Sequence, residues 1–364
     1  MRHDVAIVGA GMAGASLAAA LAPHLRVVLI EAEERPGYHA TGRSAAFWQE
    51  TYGGPDVQPL TAASGAWLER EGFLSPRGAL YIARFGEEAR LDALREEFAA
   101  NGVLLEERDR AELDAAVPGL RGHWVAGLAE PSCRDIDVAG LHALYLRAAA
   151  RDGAELRCDS LLLSARRDGG VWRIETRSGP IEADRLVNAA GAWADEVASL
   201  AGVRPIGIAP LRRTMVPLLV DPPAAATMPL VEEIGGSFYF KPEAGGRIWL
   251  SPHDESPSPP CDAAPEELDV AIAIDRLEQA VDWRIVRHER PWAGLRSFAP
   301  DRIPVYGPDP VVPGFFWFAG QGGFGIQTAP AAAQIGAALL LGGTLPESVR
   351  SIDAARYAPD RFGG

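Results

Sequence analysis

The first 31 residues contain the pattern that most restricts how this chain can fold. An apolar run at 4–8 leads into a first glycine turn (9–14, GAGMAG), and a second apolar run at 26–30 ends at Glu31. Glycine in such a turn allows backbone conformations and close approaches that a Cβ atom would prevent. The order of strand, turn, helix and strand predicts a βαβ unit whose turn and helix N-terminus bind the pyrophosphate of a dinucleotide.

The acid that ends this unit indicates which dinucleotide the site accepts. Glu31 directly follows the second strand, where a carboxylate can accept hydrogen bonds from ribose hydroxyls. Its negative charge would repel a 2′-phosphate, so the pattern disfavours NADP. A glycine-rich turn without a ligand is the alternative interpretation, but all five features occur here in the required order.

A second glycine-rich turn lies near the other end of the chain. The apolar run 315–319 predicts a strand, and it leads into the second glycine turn (320–328, GQGGFGIQT) before an alanine-rich helical run that ends near Leu341. Such a turn can direct backbone N–H groups at the polar edge of a cofactor. An NAD-dependent dehydrogenase has no evident need for this second turn. A glycine-rich loop without a ligand stays open as an alternative.

Size, charge and cysteine content exclude several classes of protein. A chain of 364 residues exceeds what one hydrophobic core usually supports, so two domains are expected. The net charge of −14 and the lack of a basic cluster argue against nucleic acid as a partner. Three widely spaced cysteines without a CxxC motif predict no metal site and favour a reducing, cytoplasmic location. Three glycines interrupt the apolar run 5–22, so no transmembrane or targeting segment is expected.

Hydrophobic periodicity divides the chain into a cofactor part and a substrate part. Helices are predicted near 42–49, 61–70, 87–101, 110–116, 137–151 and 266–280, and strands near 78–84, 154–190, 214–220, 237–241 and 247–251. The predicted fold class is α/β (α+β), with a Rossmann-like cofactor domain and a β-rich substrate-binding domain inserted into it. We assign 1–50, 131–205 and 290–364 to the cofactor domain, and 51–130 and 206–289 to the substrate domain.

Several uncommon strings occur in one order and give the chain a more specific resemblance. They are GAGMAG with Glu31, PGYHATGRSAA at 36–46, LVNAAGAW at 186–193, SFYFKP at 237–242, WAGLRSF at 292–298 and GQGGFGIQT at 320–328. With these strings the chain resembles the D-amino-acid oxidase superfamily of flavoproteins over nearly its whole length. Within the superfamily it is most similar to D-arginine dehydrogenases and D-amino acid dehydrogenases. The resemblance implies FAD, which should be bound non-covalently because no cysteine lies near the second glycine turn.

The resemblance also implies three groups of FAD-binding residues. Gly9, Gly11, Ala13 and Gly14 would hold the pyrophosphate, with Glu31 at the adenosine ribose. Arg43, Ser44, Ala45 and Ala46, at a helix start, would lie along the pyrophosphate and the isoalloxazine, although an ordinary capped helix is the alternative for 44–46. Gly322, Gly323, Gly325, Ile326, Gln327 and Thr328 would meet the pyrimidine edge of the flavin. N–H groups and a helix N-terminus there would stabilise negative charge on the reduced ring.

Two arginines and two tyrosines are the predicted substrate-binding residues. Arg296 and Arg213 can offer a planar, bidentate cation to an amino-acid carboxylate. Tyr239 matches a family position that donates its hydroxyl toward that carboxylate, and Tyr52 matches one that lines the cavity. The alternatives are structural ion pairs for the arginines, with Arg212 taking the place of Arg213, and simple packing for the tyrosines. His39 is interpreted as a loop residue rather than a general base.

The chain departs from D-arginine dehydrogenases where the substrate side chain would bind. Those enzymes place a histidine after the GRSAA string, whereas this chain has Phe47. The acid that recognises a cationic side chain in them should fall near 78–80, and no acid occurs there. We therefore expect an apolar or aromatic substrate side chain, unless Glu50 or Glu232 enters the pocket from elsewhere.

These features together predict FAD-dependent oxidative deamination of a D-amino acid. Hydride transfer from Cα to flavin N5 gives the imino acid, which then yields the 2-oxo acid and ammonia, and the reaction requires no protein nucleophile. Oxidation of glycine or N-methyl amino acids, as in sarcosine oxidase, is one alternative. A non-catalytic flavin-binding protein is another. Composition leaves open whether oxygen or a quinone accepts the electrons.

Overall fold

The computed structural model describes residues 2–363, which form two large sheets, one small sheet and eight α-helices. The strands in chain order are β1 (Arg2–Val8), β2 (Val27–Ile30), β3 (Phe47–Trp48), β4 (Leu74–Pro76), β5 (Ala79–Arg84), β6 (Glu106–Arg108), β7 (Trp124–Glu130), β8 (Arg134–Ile136), β9 (Glu155–Arg157), β10 (Leu162–Asp168), β11 (Val171–Thr176), β12 (Gly179–Asn188), β13 (Ala209–Asp221), β14 (Leu230–Glu233), β15 (Tyr239–Glu243), β16 (Arg247–Ser251), β17 (Ser256–Pro257), β18 (Arg284–His288), β19 (Trp292–Phe298), β20 (Val305–Pro308), β21 (Phe315–Ala319) and β22 (Gln321–Gly322). The helices are α1 (Met12–Leu21), α2 (Gln58–Arg70), α3 (Glu88–Ala99), α4 (Arg110–Ala116), α5 (Val138–Arg151), α6 (Ala194–Leu200), α7 (Glu267–Ala280) and α8 (Ala329–Leu341). Short 3-10 turns occur at Thr41–Arg43, Gly191–Trp193, Glu347–Val349, Ala354–Tyr357 and Pro359–Phe362.

The first large sheet contains the βαβ unit that the sequence predicts. Its strand order is β10-β11-β12-β1-β2-β9, with β21 beside β12 and β20 beside β21. β1 runs parallel to β2 and to β12, and β21 runs parallel to β12. Val5 and Ile7 pack into one core with α1 and α8, whereas Ala6 and Val8 pack into a second core with α6 and β21. Because both faces of the sheet are buried, β1 is apolar throughout its second half rather than alternating.

The second large sheet positions the predicted substrate-binding residues. Its order is β22-β19-β13-β16-β15-β14-β5-β7-β6, and β17 and β18 also pair with β13. The long strand β13 pairs with β19 through 209–215 and with β16 through 216–219. The core on one face of this sheet includes residues of α4 and α7. β22, which lies in the second glycine turn, pairs with β19 and directly follows β21 of the first sheet. One end of the strand pair β13–β19 is therefore near the first sheet.

The prediction of a helix at 42–49 is wrong. Thr41–Arg43 forms a single 3-10 turn, and Phe47–Trp48 forms strand β3, which pairs with β8. Tertiary contacts favour the strand, because the Trp48 indole N–H donates to the carbonyl oxygen of Thr61 in α2 at 2.9 Å. Both side chains of β3 are buried. Trp48 packs with Ile136 and Tyr145, and Phe47 packs on the other side with Tyr239.

The other long elements agree with the predictions from periodicity, and the α/β class is observed. The assignment of chain segments to two domains remains a prediction. One strand bears on its boundary, since β19 lies within 290–364 but pairs with β13 of the second sheet. Within residues 2–363, no helix has both the length and the apolar character that a membrane span requires.

Candidate active site

A cleft between the two large sheets is lined by both glycine turns. Every residue predicted to bind FAD lines it except Gly14 and Thr328, and so do all four predicted substrate-binding residues: Tyr52, Arg213, Tyr239 and Arg296. The fold therefore brings together residues that are up to 318 positions apart in the chain, from Gly9 to Gln327. Their binding roles remain predictions that this shared position supports.

The first glycine turn is shaped by steric limits that only glycine meets. Gly9 has a φ of 99°, and a Cβ atom on it would lie 2.5 Å from the carbonyl oxygen of Ala189. A Cβ atom on Gly14 would lie 1.8 Å from the carbonyl oxygen of Gly9, which explains why Gly14 shapes the turn without lining the cleft. The N-cap residue of helix α1 is Gly11, which has no side chain to cap the helix, and the first turn contains no acid, so the positive end of the helix faces an anion in the cleft without a competing charge of its own.

Glu31 both lines the cleft and braces the first glycine turn. One carboxylate oxygen accepts the N–H of Ala10 at 2.9 Å, and the other accepts the N–H of Glu33 at 3.1 Å. A carboxylate has about four lone-pair sites, so two remain for further donors. Ribose hydroxyls would suit them, as the sequence predicts.

The segment from Arg43 to Ala46 differs from the predicted helix start. The Arg43 guanidinium donates to the carbonyl oxygens of Ala263 and Ala293 at 2.8 and 3.2 Å and forms an ion pair with Asp262. Ser44 is extended, and no helix begins in this segment. The side chain of Arg43 is therefore committed to the protein, and a cofactor would meet this segment through its backbone and small side chains.

The second glycine turn is fixed by two polar side chains. The Gln327 side chain accepts the N–H of Gln49 at 3.0 Å and donates to the Tyr52 carbonyl oxygen at 3.1 Å and the Thr61 hydroxyl at 2.9 Å. The Thr328 hydroxyl is fully buried and donates to the Phe324 carbonyl oxygen. Gln327 therefore attaches the turn to the loop that carries Tyr52, and Thr328 braces the turn internally.

Arg213 and Arg296 lie on adjacent strands and reach the cleft together. Leu211 pairs with Arg296, and Arg213 pairs with Gly294, so the two arginines are two positions apart on the β13–β19 ladder. Their side chains are only 8% and 11% exposed. Within residues 2–363, the buried Nη2 of Arg213 and the buried Nε of Arg296 have no hydrogen-bond acceptor. Buried donors without an acceptor are costly, so this pair favours an anionic ligand.

The electrostatics of the pair also favour an anion. Burial, followed by the nearby charge of Arg296, lowers the pKa of Arg213. Burial acts in the same direction on Arg296, but the neighbouring Tyr52 hydroxyl and Glu255 carboxylate outweigh it and raise its pKa. Two guanidinium groups thus share a poorly solvated space, and a carboxylate bound between them would relieve their repulsion.

The two tyrosines lie beside the arginines. The Tyr239 hydroxyl donates to the sulfur of Met215 at 3.3 Å, and Arg213 lies 5.7 Å from the centre of its ring. Burial raises the pKa of Tyr239, so its hydroxyl stays protonated. A thioether is a weak acceptor, and this proton is therefore available to a better one. A Cβ atom on Gly323 would lie 2.0 Å from the Tyr52 hydroxyl, so the second glycine turn leaves room for that side chain.

The wall beyond the tyrosines is apolar. The Phe47 ring lies 5.4 Å from the Tyr52 ring and 6.1 Å from the Tyr239 ring, and it lines the cleft together with Met215. Glu50 accepts a hydrogen bond from Gln58 at 3.0 Å, and Glu232 accepts one from Gln49 at 2.7 Å. Both acids lie outside the lining of the cleft. His39 also has a protein partner, since its Nε2 lies 2.9 Å from a carboxylate oxygen of Glu33.

Glu232 should make the stability of the protein depend on pH. Burial raises its pKa from 4.5 to about 7. Its contribution to the free energy of unfolding is therefore complete below about pH 4.5 and is lost as the pH rises through 7. We expect Glu232→Gln to raise the free energy of unfolding, relative to wild type, by up to roughly 3 kcal/mol near pH 8.5 and by little near pH 4.5. Urea unfolding at both pH values tests this, with Glu50→Gln as the control. An equal effect at both pH values would contradict it.

Sequence analysis missed three residues of the site. Thr41 accepts the N–H of Met12 at 2.9 Å, at the N-terminus of α1. The carbonyl oxygen of Asp254 accepts from Arg213 at 2.9 Å, and the carboxylate of Glu255 accepts from Arg296 at 2.8 Å. The adjacent acids after strand β16 were a visible signal, but only the fold shows that they face the arginine pair.

Comparison with known proteins agrees with this geometry. Residues 4–339 match the DAO family, described as FAD dependent oxidoreductase. Glycine oxidase from Pseudomonas aeruginosa is 30% identical over an alignment of 389 residues that covers 99% of each chain. Mitochondrial dimethylglycine dehydrogenase from Mus musculus is 27% identical over 395 residues; the alignment covers 98% of this chain but only 44% of that longer relative.

A solved structure supports the fold independently of these sequences. Glycine oxidase from Geobacillus kaustophilus superposes with a TM-score of 0.86 at 24% identity and covers 100% of both chains. The predicted superfamily, the use of FAD and the α/β fold class are confirmed by these matches. The chain therefore belongs to the DAO family of FAD dependent oxidoreductases.

Proposed function

We propose that this chain oxidises the Cα–N bond of a D-amino acid to the imine, which water then converts to the 2-oxo acid and ammonia. The observation that carries the proposal is the pair of buried guanidinium groups, Arg213 and Arg296, which both line the cleft and each keep one buried donor without an acceptor. A carboxylate satisfies both charge and hydrogen bonding there, and its two oxygens suit the planar fork of arginine. The choice of a D-amino acid rests on the overall resemblance of the chain to D-amino acid dehydrogenases.

The residues of the cleft fit FAD. Gly9, Gly11 and Ala13 would hold the pyrophosphate at the positive end of α1, with Glu31 at the ribose. The backbone of 322–327 would meet the polar edge of the flavin. Bound FAD supplies a two-electron acceptor for the hydride that leaves the substrate Cα.

The protein side chains act on orientation rather than on bond breaking. Arg296 and Arg213 would hold the carboxylate, and the Tyr239 hydroxyl would turn from Met215 to donate to it. Fixing the carboxylate fixes Cα, which lowers the entropic cost of reaching the reactive geometry. The substrate nitrogen must be unprotonated so that its lone pair can form the C=N bond.

Oxidation of glycine or an N-methyl amino acid is the second candidate. It is favoured by the named activities of the relatives, glycine oxidase and dimethylglycine dehydrogenase. These substrates also carry one carboxylate and could use the same arginines. Anaerobic flavin reduction with D- and L-enantiomer pairs, glycine, sarcosine and dimethylglycine separates the candidates. If none of these compounds reduces the flavin, the chain is a flavin-binding protein and the proposal fails.

The apolar wall predicts which D-amino acids react best. A guanidinium or ammonium side chain would lose its hydration against Phe47 and Met215 without gaining an acid, since Glu50 and Glu232 lie outside the cleft. Apolar side chains would instead gain about 25 cal/mol for each Å² buried. We expect D-phenylalanine or D-leucine to show a higher kcat/KM than D-arginine or D-lysine. A higher value for D-arginine would refute the apolar pocket, and Glu50 and Glu232 would then be the first residues to replace.

Two finer properties of the protein remain predictions. FAD should be released by acid precipitation, because no cysteine adjoins the second glycine turn. A reducing, cytoplasmic location would suit Cys133, Cys158 and Cys261, all of which are free thiols.

A further inference from the structure

Glu255 contacts the arginine pair from outside the lining of the cleft. Its carboxylate accepts from Arg296 Nη2 and from Arg302 Nη2, both at 2.8 Å, and lies 3.9 Å from Arg213 Nη2. Arg213 and Arg296 line the cleft, whereas Glu255 and Arg302 do not. The Glu255 side chain is 37% exposed and Arg302 is 52% exposed, so they form the outer layer of the site.

Glu255 carries a full negative charge at this position. Burial opposes ionisation, but the contacts to Arg302 and Arg296 outweigh burial and lower the pKa of Glu255. Asp254 adds a second negative charge nearby, since its carboxylate lies 3.8 Å from Arg213 while bonding to the N–H and hydroxyl of Thr214. A ligand carboxylate on Arg296 would therefore share its guanidinium with a protein carboxylate.

We infer that Glu255 is a specificity-determining residue that restricts the site to substrates with a single carboxylate. The inference rests on the proposed function, in which Arg213 and Arg296 bind the substrate carboxylate. One ligand carboxylate together with Glu255 and Asp254 gives three negative charges, which balance the three guanidinium charges of Arg213, Arg296 and Arg302. A second ligand carboxylate would be repelled by the negative charges of Glu255 and Asp254, and it would lose its hydration against the apolar wall formed by Phe47 and Met215. No cation would be left to compensate its charge.

Binding of two nearly isosteric anions tests this inference directly. Succinate and succinamate differ in one carboxylate, and binding of either to the oxidised holoenzyme can be followed by the change in flavin absorbance. We expect wild type to bind succinamate more tightly than succinate. Glu255→Gln should shift the ratio of their Kd values toward succinate by roughly five- to tenfold at low ionic strength, after allowing for partial exposure. Added salt should reduce the shift.

The comparison of two ligands separates charge from positioning. Loss of the Arg296 contact would change both Kd values equally, whereas loss of the negative charge changes their ratio. Glu255→Asp keeps the charge and should keep the wild-type ratio. Glu266→Gln is the matched control, because Glu266 forms an ion pair with the neighbouring Arg212 and lies outside the cleft lining. It should leave the ratio unchanged.

A second variant tests the inference if Glu255→Gln does not retain FAD. Arg302→Gln removes the exposed cation that partly neutralises Glu255, so discrimination against succinate should increase. An unchanged ratio in both Glu255→Gln and Arg302→Gln would overturn the inference, as would failure of succinamate to bind to wild type. Because these are binding measurements, they stand even if no amino acid reduces the flavin, a result that would refute the proposed function alone.

Discussion

Replacing Arg296 with methionine should lower the apparent second-order rate constant for flavin reduction by roughly 30- to 1,000-fold while FAD stays bound. The variant loses a charge-assisted, bidentate contact to the substrate carboxylate, which costs on the order of 2 to 4 kcal/mol. The Arg296 guanidinium lies 5.2 Å from the centre of the Phe298 ring, and a methionine side chain can pack in its place, so the strand pair β13–β19 should persist. Anaerobic stopped-flow measurement of flavin reduction quantifies the effect, with the most reactive of the amino acids tested under Proposed function as substrate.

Arg212 offers a control on the same sheet. Its guanidinium donates to Asp269 at 2.9 Å and forms an ion pair with Glu266, and Arg212 lies outside the lining of the cleft. Arg212→Met should therefore change reduction much less than Arg213→Met or Arg296→Met. If the flavin of Arg296→Met is reduced as fast as that of wild type, Arg296 is structural and the carboxylate site lies elsewhere.

Replacing Gly9 with alanine should remove FAD from the purified protein. The alanine would have to adopt a φ of 99° and place its Cβ atom 2.5 Å from the Ala189 carbonyl oxygen, so β1, the first glycine turn or both must move. The strained backbone alone costs about 1 to 3 kcal/mol, and the steric overlap adds to this. We expect FAD affinity to fall by at least about a hundredfold.

Gly122→Ala is the matched control for this variant. Gly122 has no atom within 4 Å of an added Cβ position, so its replacement should leave FAD content unchanged. Flavin absorbance after gel filtration measures FAD content, and circular dichroism shows whether the apoprotein is folded. Stoichiometric FAD in Gly9→Ala would show that the turn tolerates a side chain and is not the pyrophosphate site as proposed.

Short-range features of the sequence predicted the nucleotide-binding half of the fold well. The strand before Gly9, helix α1, the strand before Glu31 and helix α8 all have apolar patterns that follow from their burial. Residues 42–49 were predicted poorly, because the pairing of β3 with β8 and the contact between Trp48 and Thr61 involve partners far along the chain. Hydrophobic periodicity depends only on nearby residues, so it does not predict contacts with distant ones.

The glycine turn, the helix after it and Glu31 indicated dinucleotide binding, because these are local requirements of such a site, and the resemblance of several strings indicated the family and FAD. The use of the individual side chains became clear from the fold. Arg43 is held by the protein, Gln327 and Thr328 fix the second glycine turn, and Glu255 forms an ion pair with Arg296. Hydrogen-bond partners and burial depend on residues that meet only when the two sheets assemble, so no local pattern could reveal them.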